Sequence, residues 1–502
     1  MSLAIVHSRG LVGVHAPAVT VEVHIGNGLP AFYIVGRPET EVRESRERVR
    51  AALLHAGFDF PNRRLTVNLA PADLPKGSGR FDLPIAAGIL AASGQVPAAA
   101  LDELELIGEL SLDGTLRPVR GALALALAVS ASPRPRSLLL PRTSSAEAAL
   151  AADLRLLAAD TLADVAAHLL GASPLERIDT APPATAVPQG GDFADVKGHA
   201  SAKRALEVAA AGAHNLLMIG PPGAGKSLLA QRLPSILPPL APQQAQEAAA
   251  LSGLDGGFTL ADWGRRPFRA PHHGASAAAI IGGGSQPKPG EASLAHHGIL
   301  FLDELPEFGR SVLEALREPL ETGRISIARA ARHVDFPARF QLVAAMNPCP
   351  CGHFGSDRCR CTPEQVRRYQ GRLSGPLLDR IDLLIGVQPV DEQVLMSPAA
   401  AEPSTAIAAR VARAQQCQHE RQDMLNAHLD PRGIERHCRL EAAAAALLAD
   451  VARTQRWSSR ALHRVQKLAR TIADLAGAAA IAPPHVAEAV SYRRALDASM
   501  VP

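Results

Sequence analysis

The 502-residue chain has few aromatic side chains: they make up 3% of it, with 2 Trp and 3 Tyr. That scarcity argues against a site built on several stacked rings, such as an RNA-recognition sheet or a single-strand-binding barrel. Cysteine is sparse too, six in all, and four of the six crowd between positions 349 and 361. This is not a secreted disulfide framework. Bias toward one sign of charge is nearly absent, since 52 Lys+Arg face 49 Asp+Glu for a net +3. A polyanionic partner would therefore have to be met by local clusters, not by global charge. Long hydrophobic runs are missing as well. The longest uncharged stretch of the first part, Leu83 to Leu101, is interrupted by Pro84, Gly88, Gly94, Gln95 and Pro97, so no membrane span is expected. The opening MSLAIVHSRG places its basic residue after a short apolar run and does not read as a signal peptide. The expectation is a soluble cytoplasmic protein.

What is present is ordinary globular composition, 47% apolar and 20% charged, which excludes wholesale disorder. At roughly 100–200 residues per domain, the length suggests about three domains. Residues 1–170 alternate strand and helix. LVGV, AVTVEVHI and AFYIVG read as strands, Thr40–His55 as a helix, RLTVNL as a strand, and PIAAGILAAS as a buried helix. LELIGELSLDGTLRPV reads as a hairpin turning at Asp113-Gly114, and ALALALAVSA, SLLLP and TLADVAAHLL add helix, strand and helix. This is an α+β domain. Residues 171–191, rich in Pro, Ala and Gly, read as a linker. From Asp192 the pattern implies a parallel sheet covered on both faces, taken as a domain over 192–395. Residues 396–502 are helical and Ala-rich.

The strongest signal is Gly220-Pro221-Pro222-Gly223-Ala224-Gly225-Lys226-Ser227, a full G-x-x-x-x-G-K-S between the apolar run NLLMI and the helix-like SLLAQRL. In that context the glycines let backbone N–H groups curl around phosphates. Lys226 would contact the β- and γ-phosphates of ATP, and Ser227 would hold Mg²⁺. The apolar strand GILFL then ends in Asp303-Glu304. Asp303 is placed to organise the Mg²⁺ shell and Glu304 to polarise the attacking water. A third strand, QLVAAMNP, ends in Asn347, whose amide could orient the same water; in isolation, Asn-Pro at a strand end is more often a turn.

Together with Leu377-Leu-Asp-Arg380-Ile-Asp382 and Ser459-Arg460, these elements resemble an AAA+ ATPase. The strings RPFRAPHHGASAAAIIGGG, PGEASLAHHGILFLDELPEF, LREPLETGRISIARA and MNPCPCG narrow the resemblance to the magnesium-chelatase-like AAA+ ATPases of the ComM/YifB group, over essentially the whole chain. The resemblance implies an AAA+ P-loop α/β core followed by a C-terminal helical lid, in a multi-domain α/β protein. It implies that Arg380 is an arginine finger reaching a neighbouring subunit's γ-phosphate and that Arg460 is the lid arginine of a second sensor. A surface ion pair for Arg380 and a helix-face charge for Arg460 are the plainer alternatives. A finger acting in trans implies a ring, and the family a homo-hexamer.

Cys349-Pro-Cys351-Gly-His353 and Cys359-Arg-Cys361 give C-x-C-x₇-C-x-C. Four thiolates at this density suit tetrahedral structural Zn²⁺, with His353 as a substitute ligand, although the one-residue spacing is tighter than the usual knuckle. Free or redox-active thiols are the competing reading. Basic residues collect in three places: Arg265–His297, the hairpin RISIARAARHVDFPARF, and Arg358 to Arg372 around the cysteines. In related ring helicases such a hairpin projects into the pore, so Arg329, Arg332 and His333 would contact DNA phosphates without sequence preference. A solvated charged turn is the alternative.

GELSLDGTLRPVRGALALALA resembles the strand–hairpin–helix of the Lon-type protease, a ribosomal-protein-S5-like fold. Where that family carries its serine, in D-G-P-S-A-G, this chain reads Asp82-Leu-Pro-Ile85-Ala-Ala-Gly88, and the following helix contains no Lys. A Ser–Lys pair needs both groups, so domain 1–170 is expected to be a Lon-protease-like scaffold without the chemistry. The resemblance implies an ATP-driven DNA motor acting on single-stranded or branched DNA, with branch-migration or helicase activity in homologous recombination of incoming DNA during natural transformation, alongside recombination proteins. The alternatives are the ATPase subunit of a magnesium-chelatase-type metal insertion complex, or a protease-like or adaptor protein.

Overall fold

The computed structural model describes residues 2–36, 40–74, 76–179, 191–284, 287–329, 332–396 and 401–499. They form two compact units. The first comprises residues 1–186, 242–263 and 328–334, and the second residues 187–241, 264–327 and 335–502.

The first unit is built on one eight-stranded mixed sheet. Its centre is β1 (Ser2–Arg9) antiparallel to β2 (Ala18–Gly26), with Ala4 opposite Val23 and Val6 opposite Val21. Strand β2 puts Val19, Val21, Val23 and Ile25 on its buried face, the period-2 pattern of a half-buried strand. Then come β3 (Ala31–Val35), helix α1 (Thr40–His55), β4 (Arg64–Ala70) and helix α2 (Asp82–Ala92). Helix α2 is buried almost throughout. Gly88 permits its close approach to β2, since a Cβ there would lie 2.5 Å from Val23 Cγ2. Asp82, at the start of α2 and fully buried, is held by Arg48 Nε at 2.7 Å. Strands β5 (Leu104–Leu106), β6 (Glu109–Leu110) and β7 (Leu116–Arg117), helix α3 (Ala122–Ser130), β8 (Ser137–Pro141), β9 (Leu156–Ala159) and β10 (Arg177–Ile178) complete the unit.

Three expectations change here. LVGV is not a strand: a bridge between Val12 and His15 and a positive φ at Gly13 make it the turn that joins β1 to β2. The strand belongs instead to Ser2–Arg9, and Leu156–Ala159 adds another. The hairpin is shorter than expected. It spans Glu109–Arg117 and does turn at Asp113-Gly114, where Asp113 accepts from the Thr115 backbone N–H at 3.0 Å. Leu104–Leu106 instead joins the large sheet, which also extends into the expected linker through Arg177–Ile178. Residues 180–190 of that linker lie outside the described residues.

The second unit is organised by a five-stranded sheet whose paired strands are all parallel, as expected from the sequence. Its strands are β11 (Leu216–Ile219), β12 (Phe268–Arg269), β13 (Ile299–Leu302), the sensor strand Gln341–Met346 and the last strand Leu383–Gly386, in the order β12, β13, sensor, β11, last. Strand β11, wholly buried, leads into the P-loop between the sensor strand and the last strand. One hydrophobic core continues from this sheet into the C-terminal helices Ser404–Gln422, Ala442–Thr454, Ser459–Leu475 and Pro483–Ser499. Gln415 and Gln418 donate to the carbonyls of Ala210 and Ala211 at 2.8 and 3.0 Å, and Ser404 Oγ accepts from the Phe193 N–H at 2.8 Å. The sheet and the C-terminal helices thus share one hydrophobic core. Residues 242–263 fold within the first unit: helix Pro242–Asp255 lies against α3, and Gln246 Nε2 donates to Leu150 O at 3.0 Å. No helix among the described residues is long and apolar enough to cross a membrane.

Candidate functional site

The site grows out of strand ends. Strand β11 runs out at Gly220, and Gly223 (φ 76°) and Gly225 (φ 83°) take the left-handed conformation that glycine adopts at little cost. The helix opening at Lys226 follows directly. Lys226 is 8% exposed, and its ammonium donates to Gly220 O at 2.6 Å, Pro221 O at 2.9 Å and Asn347 Oδ1 at 3.2 Å. Burial pulls its pKa below the ordinary lysine range, against the opposing pull of Asp303 and Glu304. A buried cation whose three acceptors are all neutral oxygens is suited to an incoming phosphate, and the donor set therefore fits ATP.

Ser227 Oγ donates to Asp303 Oδ2 at 2.5 Å, so a hydroxyl and a carboxylate stand together as hard oxygen donors of the kind Mg²⁺ takes. Glu304 has φ 54° and ψ 46°, an uncommon conformation for a residue with a side chain. Its backbone N–H donates to Asp303 Oδ1 at 2.9 Å, and its carboxylate meets His273 Nδ1 at 3.0 Å. The structure thus forms two hydrogen-bonded pairs on consecutive P-loop residues, Lys226 with Asn347 and Ser227 with Asp303, and Glu304 is attached to the second through Asp303.

His273 was not anticipated as a partner of Glu304. It comes from the Arg265–His297 segment, which offered a cluster of positive charge for a polyanion. Much of that charge is spent internally. Arg266 is half-buried, donates to Pro238 O at 2.7 Å and His297 O at 2.8 Å, and has its pKa lowered to about 10 by desolvation of its guanidinium. Arg269 makes two bonds to Glu291, at 2.6 and 2.9 Å.

Arg380 and Arg460 line a different place. Both border a cavity of about 630 Å³, together with Arg339, Asp382, Arg464 and Lys467, and its lining includes none of Lys226, Ser227, Asp303 or Glu304. Arg380 is ion-paired with Glu321 and donates to Pro376 O at 2.8 Å. Its backbone is fixed by Asn215, a residue that no motif singles out. Asn215 donates from its side chain to Arg380 O at 2.8 Å and from its backbone to Asp382 Oδ2 at 3.0 Å, and accepts from the Leu342 N–H at 2.8 Å. Burial pushes Asp382 up, but His214 and Arg464 outweigh it and hold the carboxyl at about 2.

Of the expected pore hairpin, strands Arg324–Arg329 and Arg332–Pro337 pair with each other. The side chains of Arg329 and Arg332 lie outside the described residues, and His333 is exposed. Arg358, Arg360, Arg367 and Arg368 are exposed as well, whereas Arg372 pairs with Glu307 at 2.8 Å.

The sulfurs of Cys349, Cys351, Cys359 and Cys361 all lie within 4.8 Å of one another. Cys349 is 3.4 Å from Cys351 and 3.9 Å from Cys359, and Cys351 is 3.7 Å from Cys359. Backbone N–H groups of Arg360 and His353 donate to the Cys351 thiol and lower it to about 6. The set is compatible with a zinc site, and His353 is not part of it. In the first unit, Ile85 is buried within α2, and α3 contains no lysine. Lys76 donates to Pro71 O, and Ser78 Oγ accepts from Arg80 Nε at 2.8 Å.

A parallel sheet with a P-loop at one strand end, an asparagine at the next and an Asp-Glu pair at the one beyond defines a P-loop ATPase of the AAA+ class. Comparisons with known proteins make the class specific. Residues 192–395 match the family described as magnesium chelatase, subunit ChlI; residues 21–144 match subunit ChlI of Mg-chelatase; and residues 401–493 match its C-terminal part. An uncharacterized protein YifB of Salmonella typhimurium is 49% identical, with 100% of this chain and 99% of that protein covered. Competence protein ComM of Haemophilus influenzae is 49% identical, with 98% of each covered. An uncharacterized protein of Mycobacterium bovis is 41% identical over 98% of this chain and 99% of its own. The chain belongs to the magnesium-chelatase-like AAA+ ATPases of the ComM/YifB family.

Proposed function

We propose that the chain is an ATP-driven DNA motor that assembles as a hexameric ring and promotes branch migration when incoming strands are integrated by homologous recombination. The observation that carries the ring is the separation of the two half-sites. Lys226, Ser227, Asp303, Glu304 and Asn347 gather at one set of strand ends, while Arg380 and Arg460 border a cavity that contains none of the first four. Neighbouring copies would bring one half-site to the other, so both arginines act on the nucleotide of the adjacent subunit.

Within that composite site, Lys226 binds the β- and γ-phosphates and Glu304 takes a proton from the attacking water. Asn347 orients that water, and Arg380 stabilises charge on the γ-phosphate oxygens as the bond to the β-phosphate breaks. Mg²⁺ held at Ser227 and Asp303 would supply charge neutralisation of the phosphates. In this reading the Glu321 carboxylate holds the Arg380 guanidinium until a phosphate competes for it.

The DNA part of the reading is supported by the likeness to competence protein ComM of Haemophilus influenzae and by exposed arginines beside the cysteine cluster. The first unit is read as a Lon-protease-like scaffold over 1–170 that lacks the Ser–Lys pair. Domains over 192–395 and 396–502 follow as core and lid. A second reading, an ATPase subunit for metal insertion, is favoured by the magnesium-chelatase family match. DNA-stimulated ATPase activity separates the two. Branched DNA is expected to raise kcat several-fold, and Arg329→Ala with Arg332→Ala to remove most of that stimulation while leaving DNA-free hydrolysis in place. Equal rates with and without DNA would favour metal insertion.

A further inference from the structure

The chain between the sensor strand and the helix Pro363–Gln370 closes on itself. The strand ends at Met346, Asn347 reaches Lys226 with its amide oxygen at 3.2 Å, and the cysteines begin two residues later at Cys349. After Cys361, Thr362 caps the helix with a reciprocal bond to Gln365. The helix then returns to where the segment began. Gln370 Nε2 donates to Pro348 O at 3.0 Å, and the buried Tyr369 phenol accepts from the Asn347 backbone N–H. Midway along the loop, Gly352 (φ 82°) lies so close to the P-loop that a Cβ there would be 2.3 Å from Pro222 Cδ.

The sulfur geometry fits a tetrahedral metal ion. Four sulfurs at about 2.3 Å from one Zn²⁺ in a tetrahedron lie about 3.8 Å apart. The three separations of 3.4, 3.7 and 3.9 Å bracket that edge. A disulfide would need about 2.05 Å. The Cys361 backbone N–H bonds to the Cys359 sulfur, as those of His353 and Arg360 do to Cys351.

We propose that Cys349, Cys351, Cys359 and Cys361 bind one Zn²⁺ that positions Asn347 and the outer wall of the P-loop, so that metal occupancy governs the rate of ATP hydrolysis more than nucleotide affinity. Asn347 and the cysteines share one short segment, and the helix that clamps Asn347 starts two residues after the last ligand. Fixing the four sulfurs removes the freedom of both ends at once. Lys226 and Gly220 to Gly225 remain tied to β11, so phosphate binding depends less on the metal. The positioning role rests on the nucleotide reading above; the metal site does not.

The test uses the full chain as wild type, Cys359→Ala, Asn347→Ala and the double variant. The readouts are zinc per chain, the charge-transfer spectrum after Co²⁺ substitution, and kcat and KM for ATP. Wild type is expected to hold about one zinc per chain and to give a tetrahedral cobalt–thiolate spectrum. Cys359→Ala is expected to lose the metal and about tenfold in kcat, with KM changed less than about threefold. Asn347→Ala should fall similarly in kcat, and the double variant should add little, because both act through one group. If Cys359→Ala does not fold, wild type stripped by a chelator and reloaded with Zn²⁺ must show the same fall and recovery. Wild type without metal or a cobalt–thiolate spectrum would overturn the site. Full kcat in zinc-free protein, or losses that multiply in the double variant, would overturn the positioning role. Zinc-loaded wild type that hydrolyses no ATP would remove the nucleotide reading and the positioning role together, leaving the zinc site standing.

Discussion

Glu304→Gln is expected to bind ATP about as well as wild type and to hydrolyse it at least about a hundredfold more slowly, the range a positioned general base contributes. The substitution keeps shape and hydrogen bonding but removes the basic oxygen. Glu304 is well placed for such separation of effects. Its bond to Asp303 is made by its backbone N–H, so the Ser227–Asp303 pair survives the change. Its side chain is half exposed and reaches only His273 among the ion pairs described, so the fold loses little. The left-handed backbone at Glu304 tolerates glutamine no worse than glutamate, because the strain lies in carrying any Cβ there. Fluorescent-nucleotide binding alongside steady-state hydrolysis checks this. Loss of binding in parallel with loss of turnover would assign Glu304 to the phosphate pocket instead of to the water.

Arg380→Ala carries the second large effect. Delivered to a neighbour's γ-phosphate, an arginine finger contributes about a thousandfold or more to turnover, so the variant alone should be nearly inactive. The informative experiment mixes it with Glu304→Gln. Each protein is inactive by itself, yet an intact Glu304 from one chain can face an intact Arg380 from another. Random 1:1 co-assembly makes about one interface in four competent, and activity should reappear to a comparable fraction. Co-assembled rings that stay inactive would place Arg380 in its own chain's structure, holding Glu321. Arg460→Ala, which borders the same cavity, should also be rescued by mixing with Glu304→Gln.

How much of this was legible in the sequence depended on how local the determinants were. Gly220 to Ser227 is contiguous, flanked by an apolar strand and a helix, and could be read directly. Asp303-Glu304 and Asn347 needed only the expectation that they end neighbouring strands, and β13 does pair with the sensor strand. His273 and Asn215 were not legible, because their roles arise from pairing across the sheet with residues 31 and 165 positions away. Nor could the sequence show that Arg266 and Arg269 are tied to internal acceptors, since a run of basic residues looks the same whether paired or free. LVGV misled because β-branched residues also sit in a turn when Gly13 supplies the positive φ. The tight C-x-C spacing left the metal assignment open. What the sequence could not show is that the loop, turning at Gly352, brings all four sulfurs within 4.8 Å of one another.

Whether the protein is an ATP-driven motor on DNA is decided on a labelled four-way DNA junction, with Lys226→Ala as the control. Lys226 makes the buried contacts at the P-loop, so its removal should abolish phosphate binding while leaving the second unit's core untouched. The expected result is strand exchange that requires hydrolysable ATP and disappears in Lys226→Ala. A wild-type protein that assembles and hydrolyses ATP normally but leaves the junction unmoved would contradict it.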